Sequence, residues 1–173
     1  GGIIQQFLQN VEWGELDYLV IDLPPGTGDV QLTLTQRAPI SGAVVVTTPQ
    51  EVSLIDAEKG VRMFENVKVP LLGIVENMSH FVCDGCDKKH HIFKSGGGNA
   101  LAEKFKIPFL TDIPLVSGVV EGGDKGVPII MADPSSPATK AYTTLAGQVA
   151  AQLSIIHADK DKPASSFELA WEG

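Results

Sequence analysis

Short apolar segments alternate with helical patterns along this chain. Four segments have the length and composition of buried strands: 18–21, 43–47, 71–75 and 108–113. Apolar residues at helical spacing predict helices over 2–11, 30–37, 51–66, 99–106 and 137–153. Strands that are apolar on both faces are typical of a parallel sheet that helices cover on each side. The sequence therefore predicts an α/β fold with three layers around a mostly parallel sheet.

Two helices and the end of the chain carry more detailed predictions. Ser136 and Pro137 are expected as the N-cap and first-turn residue of the last helix. Residues 157–173 are polar and are predicted to form a flexible tail, so the α/β domain is expected to span residues 1–156. The helix over 51–66 is expected to bury Val52, Ile55, Val61 and Phe64.

The composition narrows the class of partner. The 173 residues include 13 Lys and Arg against 21 Asp and Glu, a formal charge of −8, whereas a nucleic-acid binder needs a basic face. No apolar run approaches the ~20 residues of a membrane span, and no signal peptide is recognisable. We therefore expect neither nucleic acid nor membrane as a partner. Two cysteines are too few for a disulfide framework, which favours a reducing compartment, the cytoplasm.

The segment from Tyr18 to Asp29, with the sequence YLVIDLPPGTGD, carries the strongest chemical signal. Asp22 follows four apolar residues of a predicted strand, at the edge where open α/β sheets bind ligands. This is the Walker B pattern, in which a carboxylate holds the magnesium ion of a bound nucleotide. The glycines that follow allow backbone amides to approach a phosphate closely.

Several segments of the chain match one known family pattern. They are Asp22-Leu-Pro-Pro-Gly-Thr-Gly-Asp29, Val45-Val-Thr-Thr-Pro-Gln50, Lys59-Gly-Val-Arg-Met-Phe64, Gly73-Ile-Val-Glu-Asn-Met-Ser79, and Cys83-x-x-Cys86 followed by His90-His-Ile-Phe93. In these segments the chain resembles the Mrp/ApbC family of iron–sulfur cluster carriers, which are built on a MinD-like deviant P-loop ATPase fold. The resemblance runs from residue 3 to residue 153.

The resemblance implies a nucleotide site and assigns residues to it, with ATP and Mg²⁺ as cofactors. Asp22 is the implied Walker B acid, and Gly26 is implied to offer its amide to the γ-phosphate as part of the second switch. Asn77 is implied to hydrogen-bond the adenine edge, for which its carboxamide has both a donor and an acceptor. Pro114 is implied to lie near the base.

One part of the family pattern is missing from the chain. The deviant Walker A loop, a Lys-Gly-Gly-Val-Gly-Lys-Thr-like run, does not occur in the 173 residues. Without it the chain has no lysine for the β- and γ-phosphates and no hydroxyl for magnesium. Because this loop lies upstream in the family, we interpret the chain as the carboxyl-terminal part of a longer, weak ATPase. This part alone is not expected to hydrolyse ATP.

Cys83 and Cys86 form the second candidate site. Two thiolates at this spacing can bind one soft metal ion or one corner of a cluster, and a four-iron cluster normally takes four thiolates. With two cysteines in the chain, such a cluster would bridge two copies and be labile. Two other interpretations remain open: a zinc site that adds His90 or His91, and a thioredoxin-like redox pair.

Together these features predict an ATP-dependent iron–sulfur cluster carrier. It is expected to hold a labile cluster, of the 4Fe–4S type, at a homodimer interface and to transfer it to apo iron–sulfur proteins. Nucleotide is expected to act as a switch, through Asp22 and Gly26, that repositions the interface carrying the cysteines. The alternatives are a positioning ATPase of the MinD/ParA type without metal, and a zinc-bearing interaction module.

Overall fold

The computed structural model describes residues 6, 10–24, 26, 28–83, 85–86 and 88–160. Within these residues helices separate the longer strands, a two-stranded hairpin follows the second of them, and three successive helices end the described chain. The strands are β1 (Ala43–Thr47), β2 (Leu71–Glu76), β3 (Phe81–Val82), β4 (Lys89–His90) and β5 (Phe109–Asp112). The helices are α1 (Asp29–Arg37), α2 (Glu51–Asn66), α3 (Gly97–Phe105), α4 (Ser117–Lys125), α5 (Ile129–Ala132) and α6 (Pro137–Lys160).

Three of the strands form one parallel sheet. Its order is β1-β2-β5, with Val45 paired to Ile74 and Val75 paired to Thr111. Strands β3 and β4 form a separate antiparallel hairpin. Because the three sheet strands are parallel, their carboxyl ends lie at one edge, where open α/β sheets bind ligands.

Helices cover both faces of this sheet, as the sequence predicts. On one face, α2 and α3 pack on β1 and β2, with Val61 and Leu101 buried against Val45 and Ile74. On the other face, Leu145 and its neighbours on α6 pack against a second cluster of Val75, Leu110 and Ile113. Each sheet residue points to the face opposite its neighbours, which explains why the strands are apolar on both sides. The predicted three-layer α/β fold is confirmed.

The prediction for α2 is right in its bounds and partly wrong in its buried side. Val61 and Phe64 are buried as expected, but Val52 and Ile55 are 74% and 58% exposed. The buried stripe runs instead through Leu54, Ala57, Val61 and Phe64, at helical spacing. Val52 and Ile55 are rotated away from this stripe, because successive helical residues turn by 100°.

The predicted strand over 18–21 is the clearest error of the sequence analysis. The segment forms no strand, and Val20 is 89% exposed. The segment does not pair with β1, which is an edge strand that pairs only with β2 among the described strands and whose Val46 is 59% exposed. An apolar segment becomes a buried strand only when neighbouring strands complete its hydrogen bonds.

The remaining helices differ from expectation at their ends. The N-cap prediction for α6 is confirmed, since Ser136 Oγ accepts the N–H of Ala138 at 3.3 Å. Helix α6 continues to Lys160, while residues 161–173 of the predicted tail and most of the predicted helix over 2–11 lie outside the described residues. Helices α4 and α5 were not predicted, because α4 contains three glycines and α5 has only four residues, so neither shows a long apolar stripe.

Candidate functional site

The carboxyl edge of the sheet brings two of the predicted nucleotide residues together. Asn77 follows β2, and its N–H donates to the carbonyl of Thr47 at the end of β1, at 2.7 Å. The N–H of Ile113, just before Pro114, donates to the carbonyl of Glu76 at 2.8 Å. Asn77 and Pro114 therefore follow neighbouring, hydrogen-bonded strand ends.

The side chain of Asn77 is held by its own turn. Its Oδ1 accepts the N–H of Met78 at 2.9 Å, and Met78 has a left-handed backbone with φ of 55°. A carboxamide oxygen can accept a second hydrogen bond, and the amide nitrogen can donate two. This half-buried side chain can therefore offer a donor and an acceptor to the edge of a purine, as its predicted role requires.

The loop after Asp22 is held by a residue that the sequence analysis missed. Gln31 of α1 is 3% exposed, and its Nε2 donates to the carbonyls of Pro24 and Gly26 at 2.7 and 2.9 Å. Gly26 itself has φ of 96°, a conformation that glycine adopts without strain. Gln31 lies three positions before the buried Leu34, on the same side of the helix, and this spacing was the available signal.

Asp22 is solvent-exposed and lies outside any strand, whereas the next residue, Leu23, packs against the core cluster of α2, α3 and the sheet. The structure gives no contact that joins Asp22 to Asn77 or Pro114. In the described residues Asn77 and Pro114 therefore follow neighbouring strand ends, whereas Asp22 is an exposed acid before a glycine-containing loop.

One buried acceptor near this edge has no donor. Gln50 precedes α2, and its Oε1 is the one buried side-chain oxygen or nitrogen without a hydrogen-bond partner in the described part of the chain. Buried polar atoms are normally paired, because an unpaired one costs about 1–3 kcal/mol. An N–H or ammonium group from a polar ligand or from another segment would satisfy this acceptor.

The two cysteines lie on the turn between β3 and β4. The N–H of Cys83 donates to the carbonyl of Lys88 at 3.0 Å, and the N–H of Cys86 donates to the carbonyl of Cys83 at 3.3 Å. Cys83 is half-buried, Cys86 is exposed, and no disulfide joins them. The turn of the β3–β4 hairpin thus carries both thiols, a location unlike the helix N-terminus typical of thioredoxin-like pairs.

The histidines after the pair are placed differently from the zinc alternative. His90 is exposed on β4, and His91 Nδ1 lies 3.3 Å from the carbonyl oxygen of Ser79. Among the residues described, no three His, Cys, Asp or Glu side chains gather in a way that could hold a metal ion. A single-chain zinc site of Cys83, Cys86 and a histidine is therefore not preformed by these residues.

The base of the hairpin is fixed to the end of β5. The N–H of Leu115 donates to the carbonyl of His80 at 2.7 Å, and Phe81 forms a parallel bridge with Leu115. His80 is buried beside Asp112 and lies near Lys89 and His91. Burial lowers the pKa of His80 below its ordinary value, and the charge of Lys89 lowers it further, while Asp112 opposes the shift.

Comparison with known proteins places this architecture in a family. The family model described as "ParA: NUBPL iron-transfer P-loop NTPase" matches residues 1–150. The chain belongs to this family. It is 54% identical over 155 residues to a protein of Synechocystis sp. named "Iron-sulfur cluster carrier protein", a match that covers 89% of this chain and 44% of that protein.

Two solved structures have the same fold as this chain. The nucleotide-binding protein of Archaeoglobus fulgidus, in complex with ADP and with Co, is 50% identical with a TM-score of 0.66. That match covers 72% of this chain and 51% of the other. The cell division ATPase MinD of Pyrococcus furiosus is 22% identical with a TM-score of 0.63, covering 86% and 57%. The second likeness shows the MinD-like fold alone.

The chain spans about half the length of the curated relatives it matches. In the part of the chain that the structure describes, no helix combines the length and the apolar character needed to cross a membrane.

Proposed function

We propose that the protein containing this chain is an ATP-dependent iron–sulfur cluster carrier, which binds a labile cluster between two copies and transfers it to apo iron–sulfur proteins. The observation that carries this proposal is the pair of thiols, Cys83 and Cys86, on the turn of the β3–β4 hairpin. Curated relatives named as iron–sulfur cluster carrier or transfer proteins support it. We also propose that it acts in the cytoplasm, where thiols stay reduced.

The number of thiols argues for two copies. A four-iron cluster takes four thiolates, and each chain supplies two. An exposed Cys86 at the turn is accessible to a second hairpin, and a cluster held between two such turns would be open to solvent. Accessible clusters exchange readily, which suits transfer to another protein more than electron transfer. The cluster is thus cargo, held at the seam of a homodimer.

ATP is the proposed switch, and four residues of this chain are proposed to contact it. Asn77 and Pro114 would hold the base, Gly26 would donate its N–H to the γ-phosphate, and Asp22 would hold Mg²⁺. A bound magnesium nucleotide would supply the charge toward which these four residues would be ordered. The 173 residues contain no Walker A lysine, so this chain alone would not hydrolyse ATP, and the whole protein is proposed to be a weak ATPase.

The loop held by Gln31 is the proposed moving part. Its carbonyls at Pro24 and Gly26 are tied to α1, while the side chain of Asp22 stays exposed. Contact of Asp22 with magnesium and of Gly26 with phosphate would reorder this loop, and the interface that carries the cysteines would shift with it.

The experiment that tests cluster binding uses the full-length protein, reconstituted with iron and sulfide without oxygen. We expect iron–thiolate absorption in a dimer, with about four irons per dimer, and loss of this absorption in Cys83→Ser and Cys86→Ser. His90→Ala and His91→Ala serve as controls that keep the cluster. A colourless monomer whose thiols both react with a thiol reagent contradicts the proposal. Stoichiometric zinc in a monomer, lost in either histidine variant, supports the zinc-bearing module instead.

The experiment that tests the switch measures cluster transfer to an apoprotein with and without ATP. We expect ATP to change the transfer rate of the wild-type protein, and Asp22→Ala to remove that change. Asp17→Ala is the matched control, because Asp17 is another exposed acid of the same segment. Transfer that is equally fast with and without ATP, in wild type and in Asp22→Ala, contradicts the ATP-dependent part of the proposal and leaves cluster binding standing.

A further inference from the structure

The segment that carries the cysteines, residues 79–98, begins and ends at one carboxylate. Glu76, the last residue of β2, is 1% exposed. Its Oε1 accepts the hydroxyl of Ser79 at 2.8 Å and the N–H of Gly96 at 3.0 Å. Its Oε2 accepts the N–H of Gly98 at 2.7 Å. One side chain therefore contacts both ends of the segment.

The burial of the Glu76 carboxylate is stabilised by its hydrogen bonds. Removing a charge from water is unfavourable unless every oxygen is hydrogen-bonded, and here both oxygens are. The two glycine donors belong to the start of α3, where the helix dipole favours a negative charge. Close approach is built in, since a Cβ on Gly98 would lie 2.9 Å from the Cβ of Glu76.

Capping α3 does not by itself explain the third hydrogen bond. Ser79 is 4% exposed and lies at the opposite end of the segment, four residues before Cys83. Tying both ends of a loop to one group restricts the conformations available to everything between them. The residues between them form the β3–β4 hairpin and its cysteine turn.

We propose that Glu76 is a positioning residue for the metal-binding thiols. Its carboxylate holds both ends of segment 79–98 against the sheet, which fixes the direction in which the hairpin presents Cys83 and Cys86. The expected effect on cluster binding rests on the proposed function, because that function requires four thiolates from two copies to bind one cluster. The expected effect on the accessibility of the two thiols in a single chain rests only on the hydrogen bonds of Glu76.

The test compares Glu76→Gln with the wild type in the full-length protein. The carboxamide keeps the size of the side chain, but its NH₂ group donates and cannot accept the backbone N–H that it faces. At least one of the three hydrogen bonds is lost. Leu145→Ala is the control for general destabilisation. Leu145 lies on α6 and packs on the opposite face of the sheet, against the cluster of Val75, Leu110 and Ile113.

The first readout is the alkylation rate of each thiol in the metal-free protein, measured by mass spectrometry. We expect Cys83, which is half-buried, to react roughly fivefold faster in Glu76→Gln, since local opening governs the access of the reagent. Cys86 is already exposed and should change little. The ratio of the two rates is therefore the diagnostic quantity, which Leu145→Ala should leave unchanged.

The second readout is release of iron from the reconstituted protein to a chelator. Loss of a charge-assisted hydrogen bond at the base of the hairpin should speed release about tenfold. Ser79→Ala removes one donor without touching the carboxylate and should change both readouts in the same direction, by less. It keeps the test decisive if Glu76→Gln does not fold.

The proposal is overturned if Glu76→Gln shows the same thiol alkylation rates and the same iron release rate as the wild type. A Leu145→Ala protein that reproduces both changes also overturns it, because the effect would then be loss of stability alone. If the wild-type protein takes up no cluster, the proposed function fails, while the alkylation ratio still decides the role of Glu76.

Discussion

Nδ1 of His80 lies 3.2 Å from Oδ2 of Asp112, and this contact joins the base of the cysteine hairpin to the end of β5. His80 is 7% exposed, whereas the side chain of Asp112 is about half exposed. Burial and Lys89 lower the pKa of His80, so at neutral pH the contact is mainly a hydrogen bond that the neutral imidazole donates to the Asp112 carboxylate. The hairpin base is consequently sensitive to acid.

We expect the folded protein to lose stability as the pH falls below 6.5, the ordinary pKa of histidine. The unfolded chain binds a proton on His80 in this range, while burial in the folded protein opposes it. Above 6.5 both states are neutral at this residue and the effect vanishes. The measurement is the free energy of unfolding in urea at pH 7.5 and 5.5, for the wild type and His80→Gln.

The expected result is a larger loss between the two pH values in the wild type than in His80→Gln, because only the wild type has this titrating group. Other groups titrate equally in both proteins and cancel in the comparison. Equal losses in the two proteins would show that His80 does not sense the pH.

Much of the fold is readable from the sequence, because burial on both faces imposes a continuous apolar composition on a parallel strand. β1 and α2 have the predicted bounds for this reason. Segment 18–21 has the same composition and forms no strand, because strand formation depends on a neighbour that the local sequence does not specify. Val52 and Ile55 show the same limit, since two helical stripes compete within α2 and packing selects one.

The candidate site likewise contains residues that the sequence predicts and residues that it does not. Cysteine spacing and the position of Asn77 after a strand are local patterns, and both were recognised from the sequence. Gln31 and Glu76 were missed because all partners of Gln31 and two of the three partners of Glu76 are backbone groups, which every residue carries. A contact between Glu76 and Gly98 spans 22 positions and leaves no residue-type signal at either end beyond a glycine and a polar side chain.

Gly73 and Gly60 form a matched pair of glycines with opposite expected responses to alanine. A Cβ on Gly73, in β2, would lie 2.5 Å from the carbonyl oxygen of Pro108 and 2.7 Å from Cγ of Leu110. Gly60, in α2, has nothing within 4 Å of that position. We expect Gly73→Ala to destabilise by about 2–3 kcal/mol, as overpacking does. Gly60→Ala should stabilise by about 0.5–1 kcal/mol through helix propensity.

Urea unfolding of the two variants against the wild type measures both effects. A stable Gly73→Ala protein would mean that β2 and β5 can separate at Pro108 without loss, which would contradict the tight register described here. Destabilisation by Gly60→Ala would mean that α2 meets a surface outside the described residues at that point.

Gln31 offers a prediction about the loop that follows Asp22. Gln31→Leu keeps the volume but removes the donor to the carbonyls of Pro24 and Gly26, so we expect a loss of about 1–2 kcal/mol in stability. Thr35→Ala is the control, because its hydroxyl bonds to the carbonyl of Leu32 within α1 and does not reach the loop.

Under the proposed function, Gln31→Leu should also weaken ATP binding by the full-length protein. The hydrogen bond that holds the carbonyl of Gly26 against α1 is lost, so the N–H of Gly26 is less well positioned for the γ-phosphate. Thr35→Ala should bind ATP as the wild type does. An ATP affinity that is unchanged in Gln31→Leu, despite the loss of stability, would separate the loop from the nucleotide and limit Gln31 to a structural role.

Ser136 and Ser154 test the start of α6 against its middle. The hydroxyl of Ser136 accepts the N–H of Ala138 and satisfies one of the unpaired donors of the first turn. The hydroxyl of Ser154 donates to the carbonyl of Ala150, which is already hydrogen-bonded within the helix. We expect Ser136→Ala to lower the free energy of unfolding by about 1 kcal/mol, and Ser154→Ala to leave it unchanged or raise it slightly. Thermal unfolding of both variants measures the difference, and equal melting temperatures would mean that packing of α6 on the sheet fixes the first turn without its cap.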